Sequence, residues 1–389
     1  MSTTQPTGLG PKAPIDPTEL PEPTSPAGRS RSSVRRIGAI ATYVVLGLGA
    51  VTMLAPLVWM VSTSLKNAGA VFVMPPEFVP QKHLRAEVRG EERELYVGPD
   101  GAEYALLAEH DRAQMLVAPL SNPAEDRLVP RNLLEPKKQV DIQWRNYIDA
   151  WQAIKLDEFY LIDIWIGDKP IRAFQVENAF VMFYLNSIFV AAVVTLGQLT
   201  TCSLAAYAFA RLEFPGREQL FIGYLATMMV PGVVTLIPVF ILLRELGLVD
   251  TYWALFLPVL FSAYGTFLLR QFFMGIPREL EDAARMDGCG KLGVLRHVIL
   301  PLSKPALATL ATFTFIASWN DFMGPLIFIN STAKKTLPIG LASFQGLYGT
   351  EWTLLMAASV IVLLPVFLVF VFNQRFFTEG IQLSGLGGR

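Results

Sequence analysis

The sequence predicts an all-α membrane protein, with six transmembrane helices and a small β-rich extracytoplasmic insertion between helices 1 and 2. Apolar residues make up 52% and charged residues 17% of the 389 residues, and mean hydropathy is +0.41. A helix needs about 20 apolar residues to cross a hydrocarbon layer about 30 Å thick. Six apolar runs have that length, the fifth interrupted only by Asp321: 37–65, 178–210, 219–243, 251–269, 305–331 and 352–374.

Basic residues lie mostly on one side of these predicted helices. With both termini inside, the inner flanks carry most of the arginines and lysines, whereas the short outer loops carry only Arg244, Lys334 and Lys335. The positive-inside rule therefore predicts that both termini are cytoplasmic. Residues 1–36 are rich in proline, serine and threonine and are predicted to form a disordered tail. The first apolar run, 37–65, is too long for a signal peptide and is interpreted as an uncleaved helix.

The region 66–177 is predicted to be an extracytoplasmic insertion. It holds more than half of the acidic residues of the chain, so it cannot lie in lipid. The runs 94–97 and 103–107 flank a turn at 98–101 and predict a hairpin, with further strands at 113–118 and 159–166. The alternative is a partly ordered spacer. The core domain then spans 178–373, and 374–389 form a cytoplasmic tail.

A polar loop at 275–304 separates two of the apolar runs and carries the most informative local pattern. Pro277 is suited to the first turn of a helix, and acidic residues follow it near the positive helix end. Leu280, Ala284 and Asp287 are spaced to share one narrow face, and Gly288 is suited to the left-handed residue that ends a helix. A second short helix is expected from residue 291 until Pro301 breaks it.

This loop resembles the signature loop of ABC importer permeases, in which Glu-Ala-Ala is followed by Asp-Gly and then by a spaced Leu-Pro. Here Asp282 stands in place of the glutamate, with Glu281 beside it. In that family the loop docks into a groove of the ATP-binding subunit. The alternative is an amphipathic helix on the membrane surface without a partner. The resemblance implies that the coupling residues are Glu281, Asp282, Ala283, Ala284, Asp287, Gly288, Leu300 and Pro301.

Other segments are similar to carbohydrate importer permeases, and the ending at 376–380 with Gly385 is similar to the second permease of maltose-type systems. The likeness covers 37–80 and 178–389, and its motifs stand at 186–187, 205–216, 229–231, 237–238, 246–251 and 318–322. Within 83–175 only Trp144-Arg145-Asn146-Tyr147 is similar to a known element. The resemblance implies import of mono- or oligosaccharides across a bacterial or archaeal inner membrane. The implied partners are a homologous permease in a heterodimer, two ATP-binding subunits, an extracytoplasmic sugar-binding protein and membrane lipid, with no nucleic acid.

Two kinds of side chain within the apolar runs are candidates for a substrate path: ionisable and amide groups, which are costly in a membrane, and Met229 and Tyr264, which could stack on sugar rings. For Asn320 and Asp321 the alternative is a hydrogen-bonded structural pair, for Gln198 a bond between helices, and for Met229 and Tyr264 packing. The candidates for a substrate path are Gln198, Met229, Tyr264, Asn320 and Asp321.

The sequence holds no ATPase or metal motif. After Gly290-Lys291 a phosphate loop would need serine or threonine, but Leu292 follows. Histidines 83, 110 and 297 lack metal-ligand spacing, and Cys202 and Cys289 are not expected to pair. We therefore expect a chain that is not an enzyme and binds no cofactor, with ATP and Mg on partner subunits. The rival hypotheses are an ion-coupled secondary transporter and a membrane-bound enzyme with an outer catalytic domain.

Overall fold

The computed structural model describes residues 28–73, 77–109, 111, 113–166, 169–346 and 349–386. It divides into two compact units, one ending at Leu57 and the other beginning at Val58. Helix α1 is Gly28–Ser64, and its first part belongs to the first unit. Residues 1–27 of the predicted tail lie outside the described residues. Residues 28–36 are helical rather than disordered, because a nucleated helix propagates readily through arginine and serine.

Three helices are long and apolar enough to cross a membrane by themselves. They are α1 over residues 38–64, α3 (Ala179–Arg211) and α14 (Trp352–Leu386) over residues 352–376. The Asn178 side chain caps α3 by accepting a hydrogen bond from the backbone N–H of Phe180 at 2.9 Å. Helix α14 continues to Leu386, so most of the predicted C-terminal tail is helical.

Three further membrane candidates are pairs of helical segments with a sharp bend between them. The segment α4 (Arg217–Ala226) with the turn Thr227–Met229 meets α5 (Gly232–Glu245) at 98°, and α6 (Trp253–Phe256) with the turn Leu257–Val259 meets α7 (Ala263–Met274) at 47°. The segment Lys291–Leu302 meets α11 (Lys304–Trp319) at 81°. The described residues therefore give three spans, or up to six if each bent pair is one span.

Prolines lie at two of these bends. Pro231 precedes α5, and Pro258 lies in the turn after α6. Pro238 and Pro365 instead lie inside the helices α5 and α14. These two helices continue past the proline, because a helix can lose one backbone hydrogen bond without ending.

The polar loop at 275–304 and the segments after α11 contain short helices. They are α8 (Arg278–Met286), α9 (Lys291–Val294), a π-helical turn at Leu295–Ile299, α10 (Leu300–Leu302), α12 (Met323–Phe328) and α13 (Leu337–Ala342). The expected break at Pro301 is wrong, because the helix runs on to Leu302 and bends at Ser303. The fifth apolar run is not one helix either, since α11 ends at Trp319 and the Asp321 carboxylate starts a new turn at Gly324.

The strands between α1 and α3 agree with the predicted hairpin and with the strands near 113–118 and 159–166. The strands are β1 (Gln81–His83), β2 (Arg85–Val88), β3 (Glu91–Val97), β4 (Glu103–Glu109), β5 (Gln114–Pro119), β6 (Arg127–Pro130), β7 (Glu135–Pro136), β8 (Lys138–Val140), β9 (Lys155–Ile166), β10 (Lys169–Asn178), β11 (Gln345–Gly346) and β12 (Gly349–Thr350). The main sheet has the order β2-β3-β4-β5-β6, with β7 paired to β3, and Tyr96, Tyr104 and Val117 lie in its core.

The two ends of the sheet region lie side by side. Strand β1 pairs antiparallel with β8, with Gln81 opposite Val140 and His83 opposite Lys138. Helix α2 (Arg145–Gln152) follows, and the Asn146 side chain donates hydrogen bonds of 2.8 Å to the carbonyls of Ser64 and Lys66. The Trp144–Tyr147 element thus caps the carbonyl end of α1. The chain enters and leaves the sheet region at adjacent positions, so the sheet is an insertion between α1 and α2.

The helical core is centred on α3, α7, α11 and α14. Trp319 is fully buried and donates a hydrogen bond from Nε1 to the Val362 carbonyl at 3.2 Å. At Gly265 an added Cβ would lie 2.9 Å from both Cys202 Sγ and a methyl carbon of Leu310. Only glycine allows these helices to pack so closely.

Candidate functional site

The polar hairpin, residues 275–304, begins with α8 and turns at Gly288. Gly288 has φ +88°, the left-handed conformation that the sequence predicts there. The turn is closed by hydrogen bonds from the N–H groups of Gly288 and Cys289 to the carbonyls of Arg285 and Ala284, at 3.0 and 2.9 Å. Pro277 lies one residue before the first helical turn, which carries Glu279 and Glu281 at its positive end.

Helix α8 buries Glu281 rather than the predicted face of Leu280, Ala284 and Asp287. Leu280 and Asp287 are exposed and Ala284 is half-buried, whereas Glu281 is buried. The Nε of Arg211, at the end of α3, lies 2.7 Å from Oε1 of Glu281, and the two side chains are 5% and 4% exposed. A carboxylate can take an interior position when a guanidinium neutralises it. The shared face of Leu280, Ala284 and Asp287 is therefore mostly open to solvent.

The outer surface of the hairpin combines acidic and large apolar side chains. Asp282, Ala283, Asp287 and Gly288 are exposed. Beside them Met286 is 88% exposed and Leu292 is 70% exposed. Solvated thioether and isobutyl groups next to a rigid turn are typical of a protein-binding surface. We call this surface, residues 280–292, the hairpin surface.

The second half of the hairpin is anchored in the helical core. Val294, Leu295 and Ile299 are buried against Leu269 and Phe273 of α7, while Leu300 packs at the edge of the same cluster. Pro301 is exposed. A π-helical turn immediately precedes the Leu300-Pro301 pair, and such turns occur often at functional positions. The hairpin is therefore fixed on one side and free on the other.

A cavity of about 440 Å³ opens between α3, α7 and α11. Three of the five predicted path residues line it: Gln198, Tyr264 and Asp321. Met229 is not a lining residue and is 84% exposed at the bend between α4 and α5. Asn320 is exposed and donates to the carbonyl of Ile316 at 2.9 Å. The other lining residues are Val190, Val194, Leu255, Val259, Ser262, Leu310, Phe313, Thr314, Ala317, Ser318 and Pro325.

Gln198 forms bonds between helices rather than presenting a free amide to this cavity. Its Nε2 donates to the Val259 carbonyl at 2.6 Å, and its Oε1 accepts from the Thr314 hydroxyl at 2.9 Å. Thr201, one turn further along α3, donates to the carbonyl of Leu260 at 2.8 Å. Both carbonyls lie in the break before α7, where they have lost helical partners. Side chains of α3 therefore stabilise the bend.

Asp321 also has a structural partner. Its Oδ1 accepts a hydrogen bond from the backbone N–H of Gly324 at 3.1 Å, which fixes the start of α12. An added Cβ at Gly324 would lie 2.5 Å from the other carboxylate oxygen, so glycine allows the close approach. The carboxylate is nevertheless part of the cavity wall. It can accept hydrogen bonds from a hydroxyl-rich ligand there.

A loop at 330–337 is held by polar side chains from two other elements. Asn186 of α3 donates to the carbonyls of Ala333 and Lys335 at 2.7 and 2.9 Å. Asp250 accepts from the N–H groups of Asn330 and Ser331 at 3.0 and 2.9 Å. Partial burial opposes ionisation of Asp250, but these hydrogen bonds, the Ser331 hydroxyl and Lys334 together hold its pKa below the ordinary value.

The sequence alone did not identify Arg211 as a site residue. It appeared there only as one basic residue among many at the inner flank, and within a family-like motif. Its burial next to Glu281 is visible only in three dimensions. Within the described ranges, no three histidine, cysteine, aspartate or glutamate side chains are placed to hold a metal ion.

Residues 198–381 match the family model of the binding-protein-dependent transport system inner membrane component. The arabinooligosaccharides transport system permease protein AraQ of Halalkalibacterium halodurans is 36% identical over 221 residues, which are 57% of this chain and 79% of AraQ. The sn-glycerol-3-phosphate transport system permease protein UgpE of Yersinia pestis is 38% identical over 207 residues, 53% of this chain and 74% of UgpE.

The fold has a counterpart among solved structures. A bacterial ABC transporter involved in the import of the acidic polysaccharide alginate contains a chain that superimposes with a TM-score of 0.58. The superposition covers 88% of this chain and 97% of the other, at 23% sequence identity. At that identity the likeness concerns the fold alone.

Proposed function

Since this chain belongs to the family of binding-protein-dependent transport system inner membrane components, we propose that it is the permease subunit of an ATP-driven sugar importer. The cargo class is a mono- or oligosaccharide, and the chain itself is not catalytic. The arabinooligosaccharides transport system permease protein AraQ supports this class, and UgpE, of an sn-glycerol-3-phosphate transport system, is a relative with a different small polyhydroxy cargo. The observation that carries the proposal is the hairpin surface, which is held by a buried core on one side and exposes Met286 and Leu292 on the other.

In this proposal each bent helix pair is one span, which gives six spans with both termini in the cytoplasm of a bacterial or archaeal cell. The excess of arginine and lysine at the inner flanks supports that orientation. The hairpin surface then faces the cytoplasm and docks on one of two ATP-binding subunits, which hold ATP and Mg. Residues 281–288 with Leu300 and Pro301 form the contact.

On the opposite side, the same orientation places residues 332–350 and the strands of 81–140 outside the membrane. The loop at 330–337 is anchored to α3 and to Asp250, so it is a rigid platform. We propose that the sugar-loaded binding protein docks there and that a homologous permease completes the path. Closure of the ATPases moves the hairpin, and the helices alternate between two arrangements whose populations depend on both docked partners. The cavity beside Asp321 lies on that path.

The test is purification of this chain from its native host in mild detergent. We expect an ATP-hydrolysing subunit and a second permease to copurify. Sugar uptake should stop when cellular ATP is depleted and should persist when an uncoupler removes the proton gradient. Uptake with the opposite sensitivities would identify an ion-coupled transporter and refute the proposal.

A further inference from the structure

Arg211 connects three elements at the end of the molecule that carries the hairpin. Besides its ion pair with Glu281 of α8, its Nη2 donates to the carbonyls of Phe273 and Ile276 at 2.6 and 2.5 Å. Those carbonyls end α7 and begin the linker to α8, while Arg211 itself is the last residue of α3. One guanidinium group therefore holds the ends of α3 and α7 and the buried face of α8.

This arrangement is a costly way to fill an interior position. Burying an ion pair removes two charges from water, and apolar side chains of similar volume usually stabilise a core at least as well. A planar guanidinium has five donors in a fixed fork, so it can fix the relative positions of several acceptors, which an apolar contact cannot do. Glu281 is the only buried residue of α8; Ala284 packs at the edge of the core cluster, and Arg285 lies 3.8 Å from the other oxygen of the Glu281 carboxylate.

We propose that the Arg211–Glu281 pair is the rigid link that makes α8 move as one body with the ends of α3 and α7. Arg211 and Glu281 are thus positioning residues for coupling, and they act through the hairpin surface rather than by touching ATP or sugar. This inference rests on the proposed function, because it concerns how a displacement of the hairpin by the ATPase reaches the membrane helices.

A second arginine at the same end provides a matched control. Arg270 of α7 donates to the Phe209 carbonyl at 3.2 Å and pairs with Glu218 of α4 at 3.0 Å. Like Arg211, Arg270 connects α3 with α7 through a backbone carbonyl and pairs with a glutamate, but this glutamate is half-exposed and belongs to α4 rather than to α8. Removing it should leave the movement of α8 unchanged.

The experiment measures the distance between nitroxide labels on α8 and next to the end of α3. The labels replace Glu279 in the first turn of α8 and Glu213, both exposed and both outside the hairpin surface, in a protein with Cys202→Ala and Cys289→Ser. The labelled chain is purified with its ATPase subunits in lipid nanodiscs, and copurification is checked first. Pulsed electron resonance then compares the nucleotide-free complex with the complex trapped by Mg-ATP and vanadate.

We expect one narrow distance distribution that is the same in both states. A separate label pair on the ATPase subunits should show that these subunits have closed. Glu281→Ala should broaden the distribution and make it differ between the states. Glu281→Gln keeps an acceptor oxygen and should restore most of the narrow distribution, and the control Glu218→Ala should match the parent protein.

A distance that changes between the states in the unsubstituted pair overturns the inference, and this result does not depend on any variant folding. Glu281→Ala with the parental distribution in both states overturns it as well. In either case the ATPase has copurified, so the proposed function stands. If no ATPase subunit copurifies, the proposed function fails instead.

Discussion

Replacing Gly288 by alanine tests whether the turn of the hairpin must be left-handed when it binds its partner. Gly288 has φ +88°, and a Cβ built there meets nothing within 4 Å. The substitution therefore adds no clash, and its cost is the backbone strain alone, about 1–2 kcal/mol for a residue with a side chain in the left-handed region. That free energy corresponds to roughly a 5–30-fold change in an equilibrium constant.

Gly290, two residues further along, is the matched control. A Cβ there also meets nothing within 4 Å, but its φ is −73°, which any residue adopts. Gly290→Ala should leave binding unchanged or improve it slightly, because alanine restricts the unbound chain by about 0.4–1 kcal/mol. Asparagine tolerates the left-handed region better than alanine, so Gly288→Asn should fall between Gly288→Ala and the parent protein.

The assay is titration of the purified ATPase subunit onto the permease in nanodiscs, with binding followed by fluorescence energy transfer. We expect Gly288→Ala to weaken the apparent affinity about 5–30-fold relative to Gly290→Ala. Equal affinities together with equal melting temperatures for the two alanine variants would refute the reasoning, since strain in the left-handed turn must lower either the affinity or the stability of the folded hairpin.

Three further predictions concern other parts of the chain. Gln198→Leu leaves the Val259 carbonyl without its partner and should lower stability in detergent by about 1 kcal/mol, whereas Thr200→Val, whose hydroxyl bonds only within α3, should have little effect on melting. The Asp250 carboxylate, with its lowered pKa, stabilises the 330–337 loop fully above the ordinary carboxyl pKa of about 4. This contribution should disappear as the pH falls through the pKa that Asp250 has in the folded protein. Hydrogen exchange of the amides in the 330–337 loop should then become faster in the parent protein but not in Asp250→Asn. Replacing 84–137 by an Asn-Gly turn should leave the melting temperature of the helical core and ATP-driven uptake unchanged, because β1 and β8 already lie side by side. Loss of uptake with an intact core would instead assign the strands a role in transport.

The local features of the hairpin could be predicted because their causes are local. An acidic first turn and a glycine at the helix end are signals within one stretch of sequence, and α8 and Gly288 follow them. The burial of Glu281 could not be predicted, since its counter-ion, Arg211, is remote in sequence. A pattern of polar and apolar residues assigns any carboxylate to the exposed face.

Hydropathy alone does not show the bends in the apolar runs, for a different reason. Hydropathy averages over a window, so a run with a break at its middle scores like an unbroken helix. Proline does not resolve this, because Pro258 lies at a bend whereas Pro365 lies in a continuous helix. The deciding factor is whether a neighbouring helix offers donors to the freed carbonyls, as Gln198 and Thr201 do. That information belongs to the packing of α3 against α7.

Helix α3 connects the two candidate sites. Gln198 lies at the cavity, and Arg211 lies at the hairpin, thirteen residues further along the same helix, which is about 20 Å at a rise of about 1.5 Å per residue. Helices α7 and α11, which complete the cavity wall, each follow a bend, whereas α3 is continuous from Ala179 to Arg211. A continuous helix transmits an axial displacement with little loss, while a bent pair can change its angle. In the proposed mechanism, movement of the hairpin would shift Gln198 directly, and the bonds of Gln198 to Val259 and Thr314 would pass that shift to the other walls of the cavity.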